Sequence, residues 1–134
     1  MRKRKTFVVE ERVRLYDTDA EGVVHYAGYY RFFTDAIENF AYKFLGGYPI
    51  PNRNIIFVVV ESTAKYHKPA FSGDKLKVEI SPTMLSGKAI RFDFKIRKNL
   101  AIICDGHIVQ VCISKRSWKA VQIPGNIRKV LGGW

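Results

Sequence analysis

The residues able to do chemistry concentrate between Leu15 and Tyr30, in the stretch LYDTDAEGVVHYAGYY. Asp17 and Asp19 stand two positions apart there. A carboxylate can attack an electrophilic carbon or act as a general base on water. Gly22 then breaks the segment, and Tyr26, Tyr29 and Tyr30 lead into a helical pattern. A helix start offers unpaired N–H groups and the positive end of the helix dipole, both suited to a developing oxyanion. Gly22 lets the chain turn and approach closely. Seven residues from Asp19 to Tyr26 suffice for a loop that sets carboxylate and helix start on one ligand. Asp also builds Asx-turns and caps helices, so the pair alone leaves catalysis and loop-building both open. His25 is a candidate for polarising a substrate or moving a proton, although a lone histidine at a helix entrance is more often a packing or capping residue. His67, His107 and Glu61 read as strand residues without a chemical partner. Ser86-Gly87-Lys88-Ala89 is not a P-loop, no GxSxG elbow occurs, and no Cys or His cluster has metal-ligand spacing.

The elements that must position this stretch follow from periodicity. Thr6 to Leu15 alternates as a half-buried strand, and Asp17 to Gly22 breaks it with turn-forming residues. From about Ala27 the apolar residues Tyr29, Phe33, Ile37, Phe40 and Phe44 recur at steps of three and four, which predicts one long helix. Tyr30, Phe32, Ala36, Ala41 and Leu45 broaden its stripe, so the helix is expected to be covered on most sides. Gly46-Gly47, then Pro49 and Pro51, stop it. Four strands follow: Asn54 to Lys68, Lys75 to Ser81, Ile90 to Arg97 and Ala101 to Arg116, expected as an antiparallel meander with a short hairpin at Asn99. One greasy helix needs a sheet to wrap it. The fold class is therefore α+β. Aliphatic patches on the long strands point to dimers that pair edge strands.

The chain's 134 residues fit one domain, 1–134, with a basic tail at 1–5 and a loose tail at 124–134. Met1-Arg-Lys-Arg-Lys has no apolar run behind it, so a cytoplasmic protein is expected. Cys104 and Cys112 lie eight residues apart in one strand, too far to bridge. The net charge of +11 favours a polyanionic partner: nucleic acid, an anionic membrane face or a phosphorylated cofactor such as coenzyme A.

Asp17-Thr18-Asp19-Ala20-Glu21-Gly22-Val23-Val24-His25-Tyr26, with Tyr29 and Tyr30 entering a long helix, resembles the hotdog-fold acyl-CoA thioesterases, in the 4-hydroxybenzoyl-CoA thioesterase and YbgC-like branch. Tyr66-His67-Lys68-Pro69-Ala70-Phe71-Ser72-Gly73-Asp74 is similar to that superfamily's strand and turn after the helix. The element order agrees over roughly residues 6 to 116. The resemblance implies one long helix wrapped by a mainly antiparallel five-stranded sheet, and homodimers or homotetramers with active sites at a dimer interface. It implies hydrolysis of an acyl-CoA to free acid and coenzyme A, with Asp19 as the catalytic carboxylate. It implies that the Tyr26 backbone N–H polarises the thioester carbonyl, and that no metal or separate cofactor is used. Lys65, His67, Lys68, Lys88 and Arg91 are the candidates for the coenzyme A phosphates.

Two other readings stand beside this one. A hotdog protein could hold acyl-CoA without hydrolysing it. A basic module could bind RNA or DNA, with aromatics stacking on bases and lysines along the phosphates. Against the latter, most aromatics fall on the helix stripe and on inward strand positions.

Overall fold

A computed structural model describes residues 5–134 of the chain. Of the basic tail expected at 1–5, all but Lys5 lies outside the described residues. The strands are β1 (Phe7–Arg12), β2 (Ile55–Tyr66), β3 (Lys75–Met84), β4 (Ala89–Lys98) and β5 (Ala101–Ser114). The helices are α1 (Gly28–Phe44) and α2 (Gly125–Gly132).

The α1 stripe behaves as its spacing demands. Tyr29, Phe32, Phe33, Ala36, Ile37, Phe40 and Ala41 are all buried. They pack on the inward residues of the sheet, Val78 and Ile80 of β3, Phe92, Phe94 and Ile96 of β4, and Cys104 and Ile108 of β5. Phe33 stacks on Phe94 with ring centroids 4.4 Å apart and nearly parallel planes. Both cysteines are free and buried.

The five strands form one antiparallel sheet in the order β1-β3-β4-β5-β2. This corrects the expected four-strand meander. The β3–β4–β5 portion is one, with Asn99 turning its second hairpin at a φ of 55°. β2 instead crosses to the far side and pairs with β5, from Ile55 opposite Ser114 to Tyr66 opposite Cys104. The physical reason lies in residues 67–74, whose backbone is bonded to other segments rather than closing a β2–β3 hairpin. Ala70 O accepts from Val24 N–H, Ser72 N–H donates to Gly22 O, and Gly73 N–H donates to Val13 O. That connection clasps the aspartate loop, β3 pairs with β1, and β2 is left at the sheet's edge.

The tail expected to be loose from Pro124 is a docked helix. Pro124 suits the residue before a helix start, where an N–H would be orphaned anyway. Ile127 and Leu131, one turn apart, are buried together with Ile123. Trp134 meets Phe40 and Phe44 edge-on, with centroids 5.1 Å from each.

Candidate active site

Between β1 and α1 the chain makes a single 3-10 turn at Leu15–Asp17, then a tight loop. Asp19 N–H donates to Val23 O at 2.9 Å, and Gly22 N–H donates to Asp19 O at 3.0 Å. Gly22 sits at a φ of +76°, a conformation that side chains with a Cβ resist. A Cβ there would meet nothing, so its contribution is the turn and not the close approach also expected of it. The close approach occurs at Gly28. A Cβ at Gly28 would lie 2.8 Å from Asp17 O and 2.9 Å from Val24 Cγ1.

The two aspartates have separate duties. Asp17 is buried and faces Arg31 of α1. Arg31 Nε donates to Asp17 Oδ1 at 2.6 Å and Arg31 Nη2 to Asp17 Oδ2 at 2.5 Å. Arg14 N–H donates to the same Oδ2 at 2.8 Å. Burial pushes the Asp17 carboxyl up, but the bonds from Arg31 and Arg14 and the Arg31 charge outweigh it and hold it below the usual carboxylate range. Asp17 O also accepts from His25 N–H at 3.2 Å, which ties the loop's second half down.

Asp19 is exposed on the loop. Its Oδ1 accepts from Glu21 N–H at 2.9 Å and from Val23 N–H at 3.3 Å, so the Asx-turn is real. Its Oδ2 has no donor among the described residues. The loop thus leaves one carboxylate oxygen available.

The helix start supplies the complementary group. α1 has no side-chain cap at Ala27. Gly28 N–H donates to His25 O, while the Tyr26 N–H meets no acceptor among the described residues. Tyr26 is 76% exposed. The Tyr66 hydroxyl at the end of β2 donates to Tyr26 O at 2.9 Å and so holds the peptide that follows Tyr26. A cleft of about 320 Å³ opens here, lined by Val23, Val24, Tyr26, Tyr29, Tyr66 and residues His67 to Pro69. Asp19 is not in its lining but is hydrogen-bonded to Val23, which is.

Asp19 and Gly22 close one tight turn, and His25 and Tyr26 follow it on the same loop into α1. His25 donates its N–H to the loop, and its ring stands edge-on to Tyr26 at 6.3 Å. Of the basic candidates, His67 and Lys68 line the cleft. His67 Nε2 lies 2.5 Å from Asp105 Oδ2, whereas Lys68 has no ion pair among the described residues. Lys65 and Arg91 line a groove on the sheet's opposite face, where Arg91 pairs with Asp93. Lys88 sits just before β4, and its carbonyl accepts from Cys112 N–H. Those three are not in the cleft.

Arg31, Tyr66 and Gly28 went unassigned in the sequence reading. A signal existed for Arg31 alone: an arginine in the first turn of an otherwise greasy helix asks for a buried acid.

A sequence profile for the thioesterase-like superfamily matches residues 13–131, nearly the whole chain. The chain belongs to that superfamily. An Escherichia coli O157:H7 relative, the acyl-CoA thioester hydrolase YbgC, is 28% identical over 119 residues, covering 86% of this chain and 89% of its own. The solved structure of the BH1999 gentisyl-coenzyme A thioesterase is 27% identical, with a TM-score of 0.82 over 93% of this chain and 99% of that one. Slr0204, a 1,4-dihydroxy-2-naphthoyl-CoA thioesterase from Synechocystis, has the same fold at a TM-score of 0.87, 96% coverage of each chain and 23% identity. The family, the hotdog fold and the enzyme class implied by the loop-to-helix motif are thus borne out: the protein is a thioester hydrolase. No helix among the described residues is long and apolar enough to cross a membrane.

Proposed function

We propose that the protein hydrolyses acyl-CoA thioesters at the Asp19–Tyr26 pair, as a dimer joined along β2. The carrying observation is the division of labour in the Asp19 carboxylate: one oxygen holds the loop and the other takes no bond among the described residues, on the same β1–α1 loop that carries an unpaired N–H at Tyr26. Asp19 either attacks the thioester carbonyl or takes a proton from an attacking water. In the first route a C–O bond forms to Asp19, the C–S bond breaks, and water cleaves the mixed anhydride. In the second, water oxygen adds directly and the C–S bond breaks. In both, coenzyme A leaves as a thiolate that takes up a proton, and the Tyr26 N–H donates to the carbonyl oxygen as its charge grows. The route draws on no cofactor, coenzyme A being part of the substrate. Lys68 lines the cleft with no carboxylate partner among the described residues, which supports it as the contact for the phosphates.

The test is Asp19→Asn. An amide oxygen still accepts from Glu21 and Val23, so the loop stays built while the carboxylate chemistry goes. Thiol release from a panel of acyl-CoAs is expected to fall by about 10²–10⁴-fold with an unaltered melting curve. Turnover equal to wild type would leave Asp19 as a turn residue only. A wild type that binds acyl-CoA but releases no thiol would establish the non-catalytic alternative.

A further inference from the structure

The 12 carboxylates and 23 cations of the chain are not evenly mixed. Residues 39–60, 80–92 and 106–134 hold no Asp or Glu, yet they hold nine Lys and Arg. The fold gathers the turns and loops of these three stretches at one end of the sheet, where β2 and β4 begin and β3 and β5 finish. Ile55 lies opposite Ser114 there, Met84 opposite Ile90, and Ala89 opposite Val111. Two backbone bonds join their connections into one surface. Lys115 N–H donates to Asn54 O at 2.9 Å, and Ile123 N–H donates to Gly87 O at 2.8 Å. Arg53, Lys88, Lys115, Arg116 and Lys119 are all exposed on it, and none has an ion pair among the described residues.

Trp118 lies amid these cations. It is 65% exposed and sits at a φ of 60°. The turn does not need its side chain. Ser114 O accepts from Trp118 N–H at 2.8 Å, and Ser114 Oγ accepts from the N–H groups of Arg116 and Ser117 at 3.2 Å each. Glycine takes a left-handed φ at least cost, whereas a Cβ resists it. A bulky ring kept in that conformation and turned out to water answers to something outside the fold. Leu85, 53% exposed in the β3–β4 turn, adds an aliphatic side chain at the same end.

Cations around an indole and an aliphatic side chain suit a bilayer better than a nucleic acid. Indoles settle at the headgroup level, and Lys and Arg are drawn to anionic lipid. A single strand of nucleic acid could stack on Trp118, but it would leave Leu85 without a role, and these cations stand on separate connections instead of along one groove. We infer that this end of the molecule docks on an anionic lipid surface, with Trp118 and Leu85 entering the headgroup layer and the five cations meeting the lipid phosphates.

Co-sedimentation with vesicles tests this, using phosphatidylglycerol mixed with phosphatidylcholine beside phosphatidylcholine alone. Binding is expected to the mixed vesicles only, to weaken as salt rises, and to move tryptophan emission to shorter wavelength. Trp118→Gly is expected to lower the affinity about tenfold without lowering the melting temperature, since glycine is at ease in that conformation. The pair Arg116→Gln, Lys119→Gln is expected to lower it by about tenfold or more. The pair Lys75→Gln, Lys77→Gln makes the same change in net charge at the other end of the sheet, and is expected to stay within about twofold of wild type. Equal losses in the two pairs would mean that binding follows net charge, and the assignment to this end fails. It fails too if the mixed vesicles bind nothing, or if Trp118→Gly melts lower and binds them as wild type does. Tight binding of a single-stranded oligonucleotide without vesicle binding would give the surface to nucleic acid. Loss of a dimer in Trp118→Gly, read by light scattering, would give it to a second copy.

Discussion

Arg31 is the hub beneath the aspartate loop, because three carboxylates converge on it. Its guanidinium holds Asp17 in a fork and bonds Asp35 Oδ2 at 2.7 Å, and Glu11 Oε1 lies 3.6 Å away. One cation does not neutralise three anions, so one acid keeps its proton. Burial, helped by the neighbouring Asp35 and opposed by Arg31, raises Glu11 to about 7. The sign for stability follows. Between the unfolded value near 4.3 and about 7, the folded chain binds the extra proton, so Glu11 makes stability fall as pH rises through that window. Asp17, held low, acts oppositely: its contribution is present above its unfolded pKa and lost only in stronger acid. Glu11→Gln is therefore expected to be nearly neutral at pH 5 and stabilising at pH 8, by on the order of 1–3 kcal/mol, in urea unfolding. An equal effect at both pH values would mean that Glu11 is ionised throughout.

At the scale of elements, the junction of loop and α1 shows where local rules and tertiary contact conflict. Helix propensity alone favours Ala over Gly at position 28 by about 1 kcal/mol. The Asp17 carbonyl, 2.8 Å from where that methyl would sit, opposes it, and backbone cannot step aside as a flexible side chain can. Gly28→Ala is accordingly expected to destabilise by about 1–3 kcal/mol and to lower turnover by shifting the loop, read together as melting temperature and kcat. A more stable variant with native kcat would refute the contact. The same distinction explains what was legible beforehand. The α1 stripe and the alternation of β3 and β4 are local periodicities, and the motif from Asp17 to Tyr26 is contiguous, so all were readable from the chain. The position of β2 was not, because strand order depends on residues 67–74 binding a loop some fifty positions earlier. Nor was α2, whose glycines and proline read as breakers until Ile127 and Leu131 joined the core and Trp134 met the end of α1. The acid partner of Arg31 lies fourteen residues away across a turn, beyond any helical spacing rule.

At the scale of the whole molecule, the two edges of the sheet differ. β1 is short and alternates half-buried with exposed residues, while β2 runs for twelve residues and exposes adjacent valines. An unpaired edge of about 40 Å with that composition is a template for another strand. Beside a two-fold axis near the middle of β2 the Val59 and Val60 positions of both strands crowd together, so lysines at both place four like charges close to one another. The double substitution Val59→Lys, Val60→Lys exploits that geometry without touching Asp19, Tyr26 or the α1 core. Light scattering is expected to show a dimer for the wild type and a monomer for the variant at micromolar concentration. Acyl-CoA turnover is expected to fall at least about tenfold in that monomer, as for other sites that lose part of their binding surface. A monomeric variant with native kcat/KM would show that each chain works alone, and a variant that stays dimeric would move the contact to another face. The lysines add to a chain already at +11, so the measurement belongs at two salt concentrations. Repulsion across a paired edge weakens as salt rises and partial dimer returns, whereas a chain that never paired through β2 shows no such recovery.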